Sequence, residues 1–192
     1  VFTTYQMLGD TAFPANGLYA VGDSAVVMID TPWNEAQFQP LLDSIEKRHH
    51  KPVVFCLSTH FHSDRTAGLE YYAGKGIATW SSKETYKLCV ERNEKKAEHT
   101  FKKDTVFHVA GIRFETFYPG HGHSPDNIVV YFPDAKILYG GCFIKSYENQ
   151  SLGNMEDANK KRWIKAIWKT KNKYPEAEDI IPGHFAWTRE YN

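Results

Sequence analysis

The chain has 192 residues, and its 23 Lys+Arg are balanced by 23 Asp+Glu, so the formal charge is zero. That balance argues against a nucleic-acid binder or a polybasic membrane-surface protein, since each needs a net cationic footprint. Hydrophobic residues make up 42% and aromatics 15%, enough for one buried core, and a single domain over residues 1–192 is expected.

In chain order, Leu18 to Val21 and Ala25 to Ile29 read as short strands joined at Gly22-Asp23, a hairpin signal. Thr31-Pro32 opens a helix through Arg48, with Phe38, Leu41, Leu42 and Ile45 on one face and Pro40 against it. Val53 to Leu57 is a buried strand that ends at Ser58-Thr59-His60. A helix over Thr66 to Ala73, a strand at Ile77 to Trp80 and a polar helix from Ser82 to Lys95 follow. The second half places strands at Thr105 to Val109, Ile112 to Tyr118, Ile128 to Phe132 and Lys136 to Tyr139. A helix over Asn159 to Lys173 comes next, with Trp163, Ile164, Ile167 and Trp168 assigned to one side, and then a last strand, Asp179 to Ile181. This alternation predicts an α/β fold of sheets covered by helices. The Lys-rich stretches at Lys95-Lys96, Lys102-Lys103 and Lys160-Lys161 are expected to be solvated faces mixed with acids.

No apolar run approaches the roughly 18 residues of a spanning helix, so no membrane partner is expected. The chain starts at Val1 with no leader pattern, which predicts that any targeting segment has been removed or lies outside it. Cys56, Cys89 and Cys142 are odd in number and form no C-x-x-C pair, so this is not a disulfide scaffold.

Four times an apolar run ends in a turn that carries a candidate metal ligand. Val53 to Leu57 leads to His60, His62 and Asp64; Phe114 to Tyr118 leads to His121 and His123; Ile137 to Tyr139 leads to Cys142; Ile180-Ile181 leads to His184. Loops at strand ends can converge on one edge while the strands hold them rigid. Imidazole, carboxylate and thiolate suit Zn²⁺, and His60, His62, His123, Asp64, Cys142 and His184 suffice for two ions with three protein ligands apiece. Three ligands leave a position open for water, the mark of a catalytic site. Cys56 and Cys89 read as small buried hydrophobes, and Gly74-Lys75-Gly76 lacks the spacing of a phosphate loop.

These residues carry a resemblance. His60-Phe61-His62-Ser63-Asp64-Arg65-Thr66-Ala67-Gly68, Gly122-His123-Ser124-Pro125-Asp126-Asn127, Gly140-Gly141-Cys142 with Lys145, Leu152-Gly153-Asn154 and Pro182-Gly183-His184 resemble the class B β-lactamases, subclass 1, in order and over nearly the whole chain. Glyoxalase-like thioesterases and the third lactamase subclass place a histidine directly after the Asp, where this chain has Arg65; the second subclass has Asn in place of His60. The resemblance implies the four-layer αβ/βα sandwich, with one zinc on His60, His62 and His123 and a second on Asp64, Cys142 and His184. It also implies that Lys145 binds the substrate carboxylate, that Asn154 helps polarise the lactam carbonyl, and that Arg65 lies beneath the thiolate. Trp33 and the loop from Met7 to Ala12 would flank the groove. His121 is set aside as a ligand because the motif aligns on His123.

By that resemblance the substrates are penicillins, cephalosporins and carbapenems, hydrolysed in the periplasm by a monomer, with antibiotic resistance as the result. Zinc-bound hydroxide would be the nucleophile, with Asp64 orienting it and the second zinc stabilising the anionic nitrogen. Two other classes compete: a thioesterase or phosphodiesterase on the same fold, against which Cys142 and Arg65 argue, and a zinc-buffering protein, which would need closed sites.

Overall fold

A computed structural model describes residues 1–102 and 104–187; Lys103 of the Lys102-Lys103 pair and residues 188–192 lie outside the described residues. Among the described residues eleven strands form two sheets. The first contains, in spatial order, β1 (Phe2–Leu8), β2 (Thr11–Val21), β3 (Val26–Ile29), β4 (Val53–Leu57), β5 (Ala78–Ser82) and β6 (His99–Phe101). Pairing is antiparallel from β1 to β3 and parallel from β3 to β6. The second sheet contains β7 (Val106–Val109), β8 (Ile112–Phe117), β9 (Val129–Phe132), β10 (Ile137–Gly141) and β11 (Asp179–Pro182) in the order β11-β10-β9-β8-β7. Only its β10–β11 pair is parallel.

Strand alternation separates the layers. Val27, Ile29, Phe55 and Leu57 of the first sheet meet Phe107, Phe114, Val130 and Phe132 of the second in the central core. Phe55 packs its ring 5.3 Å from Phe107 and 5.5 Å from Phe114. The intervening Met28 and Cys56 point the other way, onto Phe38 of α1 (Phe38–His49) and onto Leu69 and Tyr72 of α3 (Leu69–Gly74). Val129, Tyr131 and Leu138 likewise face Trp163 and Ala166 of α5 (Lys160–Lys173). Helix, sheet, sheet and helix thus form the expected four layers. Among the described residues no helix is long and apolar enough to cross a membrane.

The Gly22-Asp23 hairpin forms as expected, with Leu18 opposite Ile29 and Val21 opposite Val26. β2, however, starts seven residues earlier than read, and β1 and β6 were not anticipated. Pro14 argues against a strand, yet it lies in the part of β2 that pairs with β1 alone, where its missing N–H costs no second ladder. α1 begins at Phe38 after a 3₁₀ turn at Glu35–Gln37, which puts Pro40 in the first helical turn, where it is tolerated. The helix expected over Thr66 to Ala73 divides into α2 (Ser63–Thr66) and α3. α4 (Lys83–Arg92) starts at Ser82, whose hydroxyl accepts from Thr85 N, and stops at Asn93 in the left-handed region. The face assigned to α5 needs correction. Trp163, Ala166 and Thr170 are buried, whereas Ile164, Ile167 and Trp168 are exposed. Spacing of i, i+3, i+7 selects the first set as the stripe that meets the sheet, and Ile164 and Trp168 fall on the opposite side.

Candidate metal centre

The six predicted donors meet at the edge where β4, β10 and β11 end. His60 follows β4 on a loop pinned by Asp30, whose carboxylate accepts from Thr59 N at 2.7 Å and from Thr59 Oγ1 at 2.8 Å. Asp30 stands at the end of β3 with a φ of 62°, a strained conformation for an aspartate that carries this anchor. His62 ends the same loop, directly before α2, and Asp64 and Arg65 lie within that helix. The turn that carries His123 is closed by Asn127, whose Oδ1 accepts from Gly122 N and Ser124 N and whose Nδ2 donates to Gly120 O. Cys142 directly follows Gly141, the last residue of β10, and His184 follows Gly183. A Cβ on Gly183 would lie 2.6 Å from Cys142 N, so only glycine lets these two strand ends approach.

The ring nitrogens converge. His62 Nδ1 lies 3.1 Å from both His60 Nε2 and His123 Nε2, with the three rings nearly perpendicular to one another. Cys142 Sγ is 3.2 Å from Asp64 Oδ2 and 3.1 Å from His184 Nε2, and the last two atoms are 3.1 Å apart. Three overlapping groups of metal-capable atoms, each within 4.8 Å, tie the residues into one array: His60, His62, Asp64; His60, His123, Cys142; and Asp64, Cys142, His184. Tetrahedral zinc with its usual bond lengths has ligand–ligand edges of about 3.3 to 3.6 Å, so these contacts need to open by only a few tenths of an ångström. The outer nitrogens also fit: His184 Nδ1 donates to Pro14 O at 2.7 Å and His62 Nε2 donates to Asp157 Oδ2 at 3.0 Å, which leaves their inward nitrogens bare. Three imidazole nitrogens turned on one another, beside a thiol, a carboxylate and a fourth imidazole that Arg65 also touches at Asp64 Oδ2 and His184 Nε2, suit a cation.

Charge is arranged around this array. Burial pushes His60 well below the ordinary histidine value, reinforced by His62 and His123, and pushes His123 down to about 3, with Lys145 adding to it. Burial alone would raise Asp64, but Arg65 and then His184 outweigh it and hold the carboxyl well below its usual value. Burial raises the Cys142 thiol, against the pull of Arg65. Arg65 is fully buried; it donates from Nε to Asp64 Oδ2 at 3.0 Å, from Nη2 to Gly183 O at 2.8 Å and from Nη1 to the Tyr139 hydroxyl at 3.1 Å. It also stands 3.5 Å from Asp30 Oδ2. As expected, it lies beneath the donors, although its direct contacts are Asp64 and His184 rather than the sulfur.

A cavity of about 410 Å³ opens over the array. Lys145, Asn154 and Trp33 line it, together with Leu8 and Phe13 from the β1–β2 hairpin. His121 turns away and contacts Asp157 O at 2.7 Å. Phe185 packs on Phe13, and Phe13 on His184, which makes the rim beside His184 apolar.

Comparison with known proteins agrees with this geometry. The family model described as the metallo-beta-lactamase superfamily matches residues 10–184. The chain belongs to the metallo-β-lactamase superfamily. It is similar to metallo-beta-lactamase type 2 of Elizabethkingia meningoseptica, 38% identical over 187 residues, 97% of this chain and 75% of that one. It is also similar to metallo-beta-lactamase IND-1 of Chryseobacterium indologenes, 37% identical over 97% of this chain and 78% of the relative. Among solved structures, metallo-beta-lactamase IND-7 superposes with a TM-score of 0.94 at 36% identity, covering 98% of this chain and 87% of that chain. The metallo-beta-lactamase from Pontibacter korlensis gives 0.92 at 36% identity, covering 96% and 86%.

Sequence reasoning missed three residues of this family site. Asp157 orients His62 and is itself held by Arg92 at 3.3 Å. Glu94 adds a carboxylate to the cavity wall, and Asp30 anchors the His60 loop. Only Asp30 had a signal, a carboxylate at a strand end before Thr31-Pro32.

Proposed function

We propose that the chain is a monomeric, single-domain periplasmic enzyme that hydrolyses the amide bond of penicillins, cephalosporins and carbapenems with two zinc ions, and so confers resistance. The reading assigns one ion to His60, His62 and His123 and the other to Asp64, Cys142 and His184. One observation carries it: six metal-capable side chains converge, and all but the buried His60 line a cavity whose wall holds Lys145 and Asn154. Zinc, when bound, supplies Lewis acidity and a nucleophile at neutral pH.

The chain's own residues do the rest. Asp64, kept ionised by Arg65 and His184, accepts a hydrogen bond from the attacking water and orients it. Lys145, half-buried with its ammonium 5.5 Å over the Trp163 ring, holds the substrate carboxylate. Asn154 Oδ1 accepts from Glu156 N at 3.0 Å, which leaves the amide NH₂ as the donor to the lactam carbonyl. Trp33, Leu8 and Phe13 give the ring system an apolar wall that excludes water. The S-x-x-K spacing of serine acyl-enzyme lactamases is found at Ser44-Ile45-Glu46-Lys47, where Ser44 and Lys47 are exposed on α1 and line no part of the cavity.

Turnover of a chromogenic cephalosporin beside a thioester tests the reading. Hydrolysis of the cephalosporin, lost with EDTA, restored by zinc and insensitive to clavulanate, is expected. Inhibition by clavulanate, or thioester hydrolysis alone, overturns it.

A further inference from the structure

α5 carries Lys160, Lys161, Arg162, Lys165, Lys169, Lys171 and Lys173 and no acidic residue, so Lys160-Lys161 opens an unmixed cationic run rather than the mixed face expected. The chain as a whole is neutral, and the remainder therefore holds seven more acids than bases. A net charge of zero conceals a molecule with one basic helix and an acidic body. Among the described residues none of the seven cations forms an ion pair with an acidic side chain.

The same helix exposes apolar groups. Trp163, Ala166 and Thr170 meet the second sheet, while Ile164 and Trp168 are 66% and 57% exposed. Ile164 and Trp168 are four residues apart and so adjacent along the outer face, where the 100° helical step also places Lys161 and Lys165. Lys171 Nζ lies 5.2 Å over the Trp168 ring. The outermost surface of α5 is thus an indole and an isoleucine surrounded by lysines.

We propose that this face docks on an anionic lipid surface. The lysines pair with headgroup phosphates, their methylene stems lying along the apolar strip, and Trp168 and Ile164 enter the boundary between headgroups and acyl chains. A nucleic acid would use the same cations but has no place for an exposed isoleucine beside the indole. The acidic body is repelled by the same surface, which orients the molecule with α5 toward the lipid. The first turn of α5 abuts the turn before His123 through Asn159 N to Gly122 O at 2.8 Å, yet no α5 residue lines the catalytic cavity. A docked molecule therefore keeps its cleft open to substrate.

The test uses zinc-loaded protein with phosphatidylcholine vesicles and with vesicles of phosphatidylcholine mixed with phosphatidylglycerol, read by co-sedimentation and tryptophan fluorescence. Binding to the mixed vesicles alone is expected, with a blue shift that Trp168→Ser removes. The double variant Lys161→Glu/Lys165→Glu should weaken binding at least about tenfold, and Ile164→Ser/Trp168→Ser should weaken it independently of salt, while both keep full cephalosporin turnover. Equal binding to both vesicle types, no binding, or wild-type binding by either double variant overturns the proposal. So does duplex DNA binding as tightly as the mixed vesicles with no dependence on Trp168 or Ile164, which would make the face a general polyanion patch.

Discussion

Arg65 is the residue on which the metal-free site leans most heavily, and its replacement gives a quantitative test. Arg65→Met keeps an unbranched apolar stem but removes the charge that lies between Asp64 and Asp30, and the donors that satisfy Asn16 O, Gly183 O and the Tyr139 hydroxyl. Removing one partner of a buried ionic cluster costs about 3–5 kcal/mol because the remaining charges stay unpaired. For a chain of this size that lowers Tm by about 10 °C. Zinc beside Asp64 and Cys142 restores positive charge on one side of the gap, whereas Asp30 stays uncompensated on the other. The deficit should therefore shrink, without vanishing, in the zinc-loaded protein, and linkage requires zinc to stabilise the variant more than the wild type. Arg65→Lys, with a charge but no fork, should fall between. Differential scanning calorimetry with EDTA and with excess zinc measures both quantities. A metal-free variant that melts within a degree of wild type, or a deficit that zinc leaves unchanged, refutes the reasoning.

Three further outcomes are expected. Lys145→Glu should raise KM for a carboxylate-bearing β-lactam by about tenfold or more with zinc content unchanged, because a partly shielded pair is replaced by repulsion; an unaltered KM in steady-state kinetics would remove Lys145 from substrate binding. Cys142→Ser should lose one zinc and keep the other, and should release one proton fewer on metal binding, since the buried thiol starts protonated while His60 and His123 start neutral; metal analysis and calorimetric titration in buffers of different ionisation enthalpy check both. Burial raises the Asp126 carboxyl to about 6 from 3.8, so the native state holds its proton more tightly than the unfolded chain and stability falls as pH rises through that window. Asp126→Asn should therefore gain on wild type by at most about 3 kcal/mol above pH 6, and the gain should fade toward pH 4; chemical denaturation that shows a pH-independent difference would contradict this.

How much of this was legible in the sequence depended on whether a residue acts directly or through another. The six donors could be read because each follows a strand-like run, and a strand end fixes where a side chain goes. Asp157 could not: it acts only through the outer nitrogen of His62, from a loop 95 residues away. Helix-covered sheets were legible in the alternation of strand-like and helical segments, and the four-layer order in the family resemblance, whereas the way Met28 and Cys56 face the helices while their neighbours face the opposite sheet is visible only in the structure. β1 and the start of β2 stayed hidden because Pro14 is a valid argument against a strand unless only one edge is paired, a fact of tertiary structure. On α5 an apolar stripe was drawn through Ile164 and Trp168 from residue type alone. The helical angle favours Trp163, Ala166 and Thr170, and the small Ala166 and polar Thr170 concealed the true inner face.

That misreading and the metal centre share a physical origin. In each, groups that water or a core would ordinarily claim are held away from both: imidazoles turned on one another beside a thiol, and an indole and an isoleucine held out among lysines. Asp30 with its positive φ, the fully buried Arg65 and the glycine contact at Gly183 all constrain the edge that carries the donors, so the cost of convergence is borne by the frame before any cation arrives. A site organised this way gains metal affinity from geometry already fixed, and changes that loosen Asp30 should be felt as weaker binding of the ion even where all six donors remain.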